Sequence, residues 1–210
     1  MLRKAFLLVS GNAFGSALLL VRNLIIARLV SPEDYGIAST FAVAMSIVEM
    51  LSYLGLNQMI VVDRDGDDPH VQKAMQGFQV LRGVTSSLVL FAIAIPYARF
   101  LGVEHVAWAY QVIAFIPLVN GLQHFDMHRL KRHLNFRPWI VTQAIPPLVS
   151  VLALWPLALL YGDYRIMLVS LFIQSGAMVL LSHLMAERRY ALSFDFALIR
   201  RATVFGWPLL

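Results

Sequence analysis

Cysteine is absent from the 210-residue sequence, which excludes disulfide scaffolds, thiolate zinc sites, iron–sulfur ligation and cysteine nucleophiles. Charge is scarce: Asp, Glu, Lys and Arg make up 14% of the chain while hydrophobic residues reach 59%. Mean hydropathy is +0.70. A water-soluble domain is nearer half apolar and a quarter charged, so an ordinary soluble enzyme is excluded. No alternating period-2 stretch with recurrent turn signals supports a buried β core. A glycine-rich phosphate loop, a nucleophile elbow and a catalytic-triad spacing are also missing, so the expectation is no enzyme and no cofactor.

What is there is a series of apolar blocks, each long enough to cross a bilayer at about 1.5 Å per residue. They run over 6–29, 37–59, 75–101, 106–122, 139–161 and 166–185. The expected fold is all-α, a polytopic transmembrane helical bundle of six spans. Pro96, Pro117, Pro146, Pro147 and Pro156 fall inside these blocks. Membrane helices tolerate such prolines where neighbours re-satisfy the backbone. The first block follows Arg3 and Lys4, but it is too long for a signal h-region and lacks a small-x-small cleavage site, so it reads as an uncleaved span. Residues 1–192 thus read as one six-helix lobe. The segment 193–201 reads as a short helix in the membrane interface, and 202–210 as the truncated start of a seventh span. The missing internal repeat fits one half of a larger transporter.

The formal charge of +5 and pI near 9.8 do not indicate nucleic acid, because the basic residues sit between the apolar blocks. With the N-terminus inside, Arg3, Lys4, Arg64, Lys73, Arg82, Arg129, Lys131, Arg132, Arg137, Arg188, Arg189, Arg200 and Arg201 lie at or near the cytoplasmic side. Arg28, Arg99 and Arg165 lie outside and Arg22 within a span, which accounts for all 17 Lys and Arg. That asymmetry in short loops sets an N-in orientation.

Polar residues recur on one face of most blocks at about 100° per residue. Asn12, Ser16 and Asn23 share a sector of the first, with Arg22 on its flank. Ser39, Ser46, Glu49, Tyr53 and Asn57 share a face of the second. Gln79, Arg82, Gly83 and Ser86 align on the third, Tyr110, Asn120 and His124 on the fourth, Gln143 and Ser150 on the fifth, and Ser170 and Gln174 on the sixth. Interhelical hydrogen bonding accounts for many such serines and amides, while stripes on so many spans also suggest a shared polar cavity. The cavity candidates are Arg22, Asn23, Glu49, Gln79, Arg82 and Asn120. Glu49 falls near mid-span, where a carboxylate costs about 2.5–3.5 kcal/mol and must face protein or water. Arg22 and Arg82 either snorkel to headgroups or offer forked donors to a diphosphate.

Two patterns imitate metal sites. Residues 63–68, Asp-Arg-Asp-Gly-Asp-Asp, resemble the start of a calcium loop but carry Asp68 at the sixth position and Ala74 at the twelfth. They read as a solvated loop. His124, His128, His133 and Asp126 have loose ligand-like spacing within a basic stretch, and no metal is expected there.

Several segments carry a resemblance. Ala27-Arg-Leu-Val-Ser-Pro-Glu-Asp-Tyr-Gly36, Tyr53-Leu-Gly-Leu-Asn57, His133-Leu-Asn-Phe-Arg-Pro138, Phe194-Asp-Phe196 and Phe205-Gly-Trp-Pro-Leu209 occur in this order. Together they resemble the polysaccharide flippases (O-antigen and exopolysaccharide translocases) of the multidrug/oligosaccharidyl-lipid/polysaccharide exporter superfamily. The resemblance covers the N-terminal half of that fold. It implies a bacterial inner-membrane, multi-pass protein that passes polyprenyl-pyrophosphate-linked oligosaccharide between leaflets. The implied partners are the lipid bilayer, the lipid-linked oligosaccharide, and polysaccharide polymerase and glycosyltransferase machinery. An ion-coupled small-molecule exporter and a non-transporting subunit of a polysaccharide assembly complex remain the alternatives.

Because the chain has no native cysteine, the orientation is testable by single-cysteine labelling. Cysteines at positions 67 and 132 are expected to be shielded from an impermeant external reagent, and one at 163 to react. The reverse pattern would overturn the N-in orientation.

Overall fold

A computed structural model describes residues 2–52, 60 and 65–206, with side chains over 11–47, 60 and 65–204. The described residues are all-helical, with no strand among them. The helices are α1 (Leu2–Leu29), α2 (Pro32–Ser52), α3 (Pro69–Phe100), α4 (Ala107–Ile113), α5 (Ile116–Gly121), α6 (Asp126–Arg132), α7 (Arg137–Leu160), α8 (Arg165–Leu184) and α9 (Phe196–Gly206), with a 3₁₀ turn at Glu104–Val106.

Four helices are long and apolar enough to cross a membrane: α1 over Gly11–Leu29, then α3, α7 and α8. A bent stretch, Glu104–Gly121 followed by Asp126–Arg132 at 49°, makes a fifth if it is one span. The expected second span, 37–59, overlaps α2 over 37–52; α2 is not among the helices that qualify as spans, and 53–59 lie outside the described residues. The segments 53–57 and 207–209 that carry part of the family resemblance also lie outside the described residues.

Turn chemistry sets the helix starts. Ser31 Oγ accepts from the Asp34 backbone N–H at 3.1 Å, capping α2. Asp68 caps α3 by accepting from the His70 N–H at 2.8 Å, with Pro69 in the first turn. The helices pack in a ring in which α1 lies against α7, α7 against α8, α8 against α5, α4 and α5 against α3, and α3 against α2. At the end where α1 gives way to α2, the core gathers Ile26, Phe41, Tyr110, Leu154 and Ile166. At the other end Met75, Phe78 and Phe125 bury Ile199 and Ala202 of α9.

The fourth span is not the continuous helix expected over 106–122. Pro117 has no N–H to give the Ile113 carbonyl, and the helix breaks between α4 and α5. The Leu118 N–H just past it is taken by Ser87 Oγ of α3 at 2.9 Å. Glycines then bring backbones together. A Cβ on Gly83 of α3 would stand 2.7 Å from the Pro117 carbonyl oxygen and 3.1 Å from the Gly121 Cα. On the opposite side of the ring, Pro147 leaves the Gln143 carbonyl without its helical donor, and a Cβ on Gly15 of α1 would sit 2.8 Å from that oxygen. At Pro147 the glycine closes over the carbonyl that the proline frees, whereas at Pro117 it closes over the proline's own carbonyl.

Substitution of Gly83 by Ala is therefore expected to force α3 and α5 apart, costing about 1–3 kcal/mol as other overpacked contacts do. Gly176→Ala, where an added Cβ meets nothing within 4 Å, serves as the control. Thermal stability in detergent reads the difference. Equal stability of the two variants would contradict the backbone-to-backbone contact.

Candidate functional site

Arg22 is 5% exposed although it sits about 10 Å inside the end of α1. Its Nη1 donates to Gln174 Oε1 of α8 at 2.5 Å. Its Nε is buried with no hydrogen-bond partner, and no carboxylate pairs with it among the described residues. The side chain thus turns into protein and does not extend to headgroups. The neighbouring Asn23 is half-buried and its Oδ1 also lacks a partner. A buried guanidinium held only by a neutral amide keeps its full charge. Such a group favours an anion bound beside it.

The other expected cavity residues are placed differently. Gln79 is buried and donates to the carbonyls of Gln123 at 2.9 Å and Gly121 at 3.2 Å. Asn120 is half-buried with an unpartnered Oδ1. Arg82 is half-buried on α3, within electrostatic reach of His128. The Glu49 side chain lies outside the described residues. The structure therefore joins Arg22 to Gln174, and joins Gln79 to the broken span and away from Arg22.

A larger polar assembly, not anticipated as a unit, occupies the end where α3 begins. The backbone between α5 and α6 has lost its helical partners, and side chains replace them. Gln76 Oε1 accepts from the Phe125 N–H at 2.7 Å while its Nε2 donates to the Gln123 carbonyl at 2.8 Å. Ser182 Oγ of α8 accepts from the His124 N–H at 2.9 Å, and His183 Nε2 meets the Leu122 carbonyl at 3.0 Å. Gln72, Gln76 and Gln79 stand at i, i+4 and i+7, one face of α3. They are a ladder that splices the broken span to its neighbour.

Asp126 lies at the centre of this assembly, with 0% exposure. Its carboxylate accepts from Arg129 Nε at 2.6 Å, Gln72 Nε2 at 3.2 Å, and the backbone N–H groups of Glu187 at 2.8 Å and Arg188 at 3.2 Å. Arg129 also donates to Glu187 at 2.9 Å, and Arg188 to Gln72 Oε1 at 2.8 Å. The chain after α8 is thereby tied to α3 and α6. It continues against α3, where Ser193 N–H donates to the Lys73 carbonyl at 3.0 Å. Only a glycine at 77 admits this strap, since a Cβ there would fall 2.1 Å from the Ser193 oxygen.

The residues read as metal-like are dispersed into this framework. His124 packs edge-on against His183 and Tyr190. His133 Nε2 meets Asp67 Oδ1 at 2.6 Å, and that hydrogen bond holds the Asp67 carboxyl below its usual range. The acidic turn expected to be a solvated loop is largely exposed and carries ion pairs as well: Asp67 pairs with Arg132 at 3.3 Å and Asp65 with Arg201 of α9 at 3.5 Å.

Comparison with known proteins identifies a family. A family model described as polysaccharide biosynthesis protein matches residues 25–210. The succinoglycan biosynthesis transport protein ExoT of Rhizobium meliloti (strain 1021) is 31% identical over 185 residues, covering 84% of this chain and 35% of that protein. The chain thus spans about a third of the length of the curated relative it matches. No solved structure gives a significant match. The chain belongs to the polysaccharide biosynthesis protein family, as a membrane protein.

The polar assembly makes its own prediction. Asp126→Asn removes the charge from a buried pair and sets an amide N–H₂ against donors, at an expected cost of about 3–5 kcal/mol. Asp163→Asn, which weakens the exposed pair with Arg165, is expected to cost under about 1 kcal/mol. Thermal unfolding and membrane abundance measure both. Equal effects would show that Asp126 does not brace the fold.

Proposed function

We propose that this chain is the N-terminal six-span lobe of a transporter that moves polyprenyl-diphosphate-linked oligosaccharide across the bacterial inner membrane for surface polysaccharide synthesis. In this reading α1, α2, α3, the bent α4–α5 segment, α7 and α8 are the six spans, and the N-terminus is cytoplasmic. The segment after α8 carries the interfacial helix and leads toward a second lobe. The lobe binds and passes its cargo without making or breaking covalent bonds, and works beside the glycosyltransferases and polymerase that make and extend the polymer.

The observation that carries the reading is Arg22: a guanidinium buried inside a spanning helix, held by Gln174, with Nε unpartnered and no acid beside it among the described residues. An uncompensated charge at that depth is costly and marks a pathway or ligand site. A diphosphate matches the planar fork of arginine in both charge and geometry. Asn23 and Asn120, each with an unpartnered amide oxygen, are acceptors suited to sugar hydroxyls, and Arg82 and Glu49 complete the proposed lining. Gln79 contributes by shaping the broken span. Family membership and the transport role in the relative's name favour a polysaccharide-pathway cargo.

In a strain whose polymer export depends on this protein, Arg22→Ala is expected to lower export about tenfold or more at unchanged abundance, the loss of one charge-assisted contact or more. Arg22→Lys is expected to recover only part, because it restores charge without the two-pronged geometry. Full export by Arg22→Ala at normal abundance would remove the diphosphate-ligand assignment.

A further inference from the structure

At the end of the bundle where α3 begins lies a cavity of about 450 Å³ between α3, the α5–α6 link and the chain after α8. Lys73, Arg188, Arg189, His124, Tyr190 and Gln76 line it, and no carboxylate does among the described residues. Lys73 and Arg189 are exposed and make no ion pair among the described residues. Arg188 is held in place by neutral acceptors, Gln72 Oε1 at 2.8 Å and the Asp67 carbonyl at 2.9 Å, which leave its charge standing.

His124 supplies an independent pointer. Its ring is 3% exposed, and its Nδ1 accepts the Asp126 N–H at 3.1 Å. A neutral imidazole that accepts at Nδ1 carries its proton at Nε2. That Nε2 is buried and makes no hydrogen bond of good geometry, although the Arg188 backbone lies within hydrogen-bonding reach of the ring. A buried donor without a well-aligned acceptor costs free energy that an incoming oxyanion would recover. The Tyr190 hydroxyl accepts from Gln76 Nε2 at 3.4 Å, which leaves its own proton available to donate.

We propose that this cavity binds a phosphate-type oxyanion, gripped by Lys73, Arg188 and Arg189 and oriented by His124 and Tyr190. A tetrahedral anion with several oxygens satisfies donors converging from three segments, as a single carboxylate would not. The site is separate from Arg22 and does not rest on the cargo assigned to it. In the proposed orientation it opens at the cytoplasmic membrane surface, where the phosphate comes either from an anionic phospholipid headgroup or from solution. An occupied site ties α3, α6 and the strap leading to α9 together across the Asp126 assembly.

The test uses the full chain in nanodiscs. One arm measures equilibrium dialysis of radiolabelled inorganic phosphate with phosphatidylcholine discs. The other measures retention of phosphatidylglycerol by native mass spectrometry from mixed discs. Lys73→Gln with Arg189→Gln is expected to weaken binding about tenfold or more in any arm that shows it. The charge-matched pair Arg137→Gln with Arg200→Gln, away from the cavity, is expected to leave binding unchanged. Phosphate binding alone assigns a soluble source, phosphatidylglycerol retention alone a membrane source, and both together a site that reads the phosphate group itself. No binding in either arm, or undiminished binding by the Lys73/Arg189 variant, would overturn the proposal.

Discussion

The architecture depends on how the backbone is satisfied where the bent α4–α5–α6 segment breaks. In hydrocarbon an unpaired N–H or C=O costs several kcal/mol, so a non-helical segment at membrane depth survives only if protein covers it. Here α3 supplies Ser87 to the amide past Pro117, and Gln76 and Gln79 to the carbonyls and amide between α5 and α6. Gly83 and Gly121 let the two backbones approach closely enough for those side chains to reach. Asp126 then extends the splice beyond the break, drawing in the chain after α8 through two backbone N–H groups.

That bracing has a consequence for the ring of helices. With α3, α5 and α8 joined at one end, and α1 closed against α7 over the carbonyl freed by Pro147, the relative height of α1 and α8 is fixed. Arg22 and Gln174 meet at that height. The guanidinium is oriented by an amide that cannot neutralise it, which keeps its electrostatic attraction available to an anion. A carboxylate in the place of Gln174 would have produced an internal ion pair and a weaker anion site.

Much of this was legible in the sequence because hydropathy and helical periodicity are local. The apolar blocks located the long helices, and the basic residue deepest inside the first block singled out Arg22. Gln174 was visible as part of a polar stripe, but its pairing with a residue 152 positions away was not. Gln72 and Gln76 were legible only as helix formers, since their partners lie 54 and 47 residues off. Asp126 stood out as an acid among histidines and basic residues, which imitates a ligand cluster when the backbone amides of Glu187 and Arg188 cannot be seen. The ion pairs of the acidic turn at 65–68 were hidden for the same reason: its partners, Arg132, His133 and Arg201, come from distant helices. Pro117 announced a disturbance in the fourth span, while the second break, after Gly121, is set by α3 and has no proline to mark it.

The central claim is that the Arg22 guanidinium is a resident cation awaiting a phosphorus-bearing anion. The most direct measurement is solid-state NMR dipolar recoupling between ¹⁵N-labelled arginine side chains and ³¹P, in membranes loaded with a polyprenyl-diphosphate-linked sugar, with Arg22→Lys used to assign the Arg22 signal. The account predicts dephasing of the Arg22 guanidinium by phosphorus that disappears when the lipid-linked sugar is replaced by the same sugar lacking the diphosphate. An Arg22 signal unaffected by phosphorus while other arginines respond would contradict it.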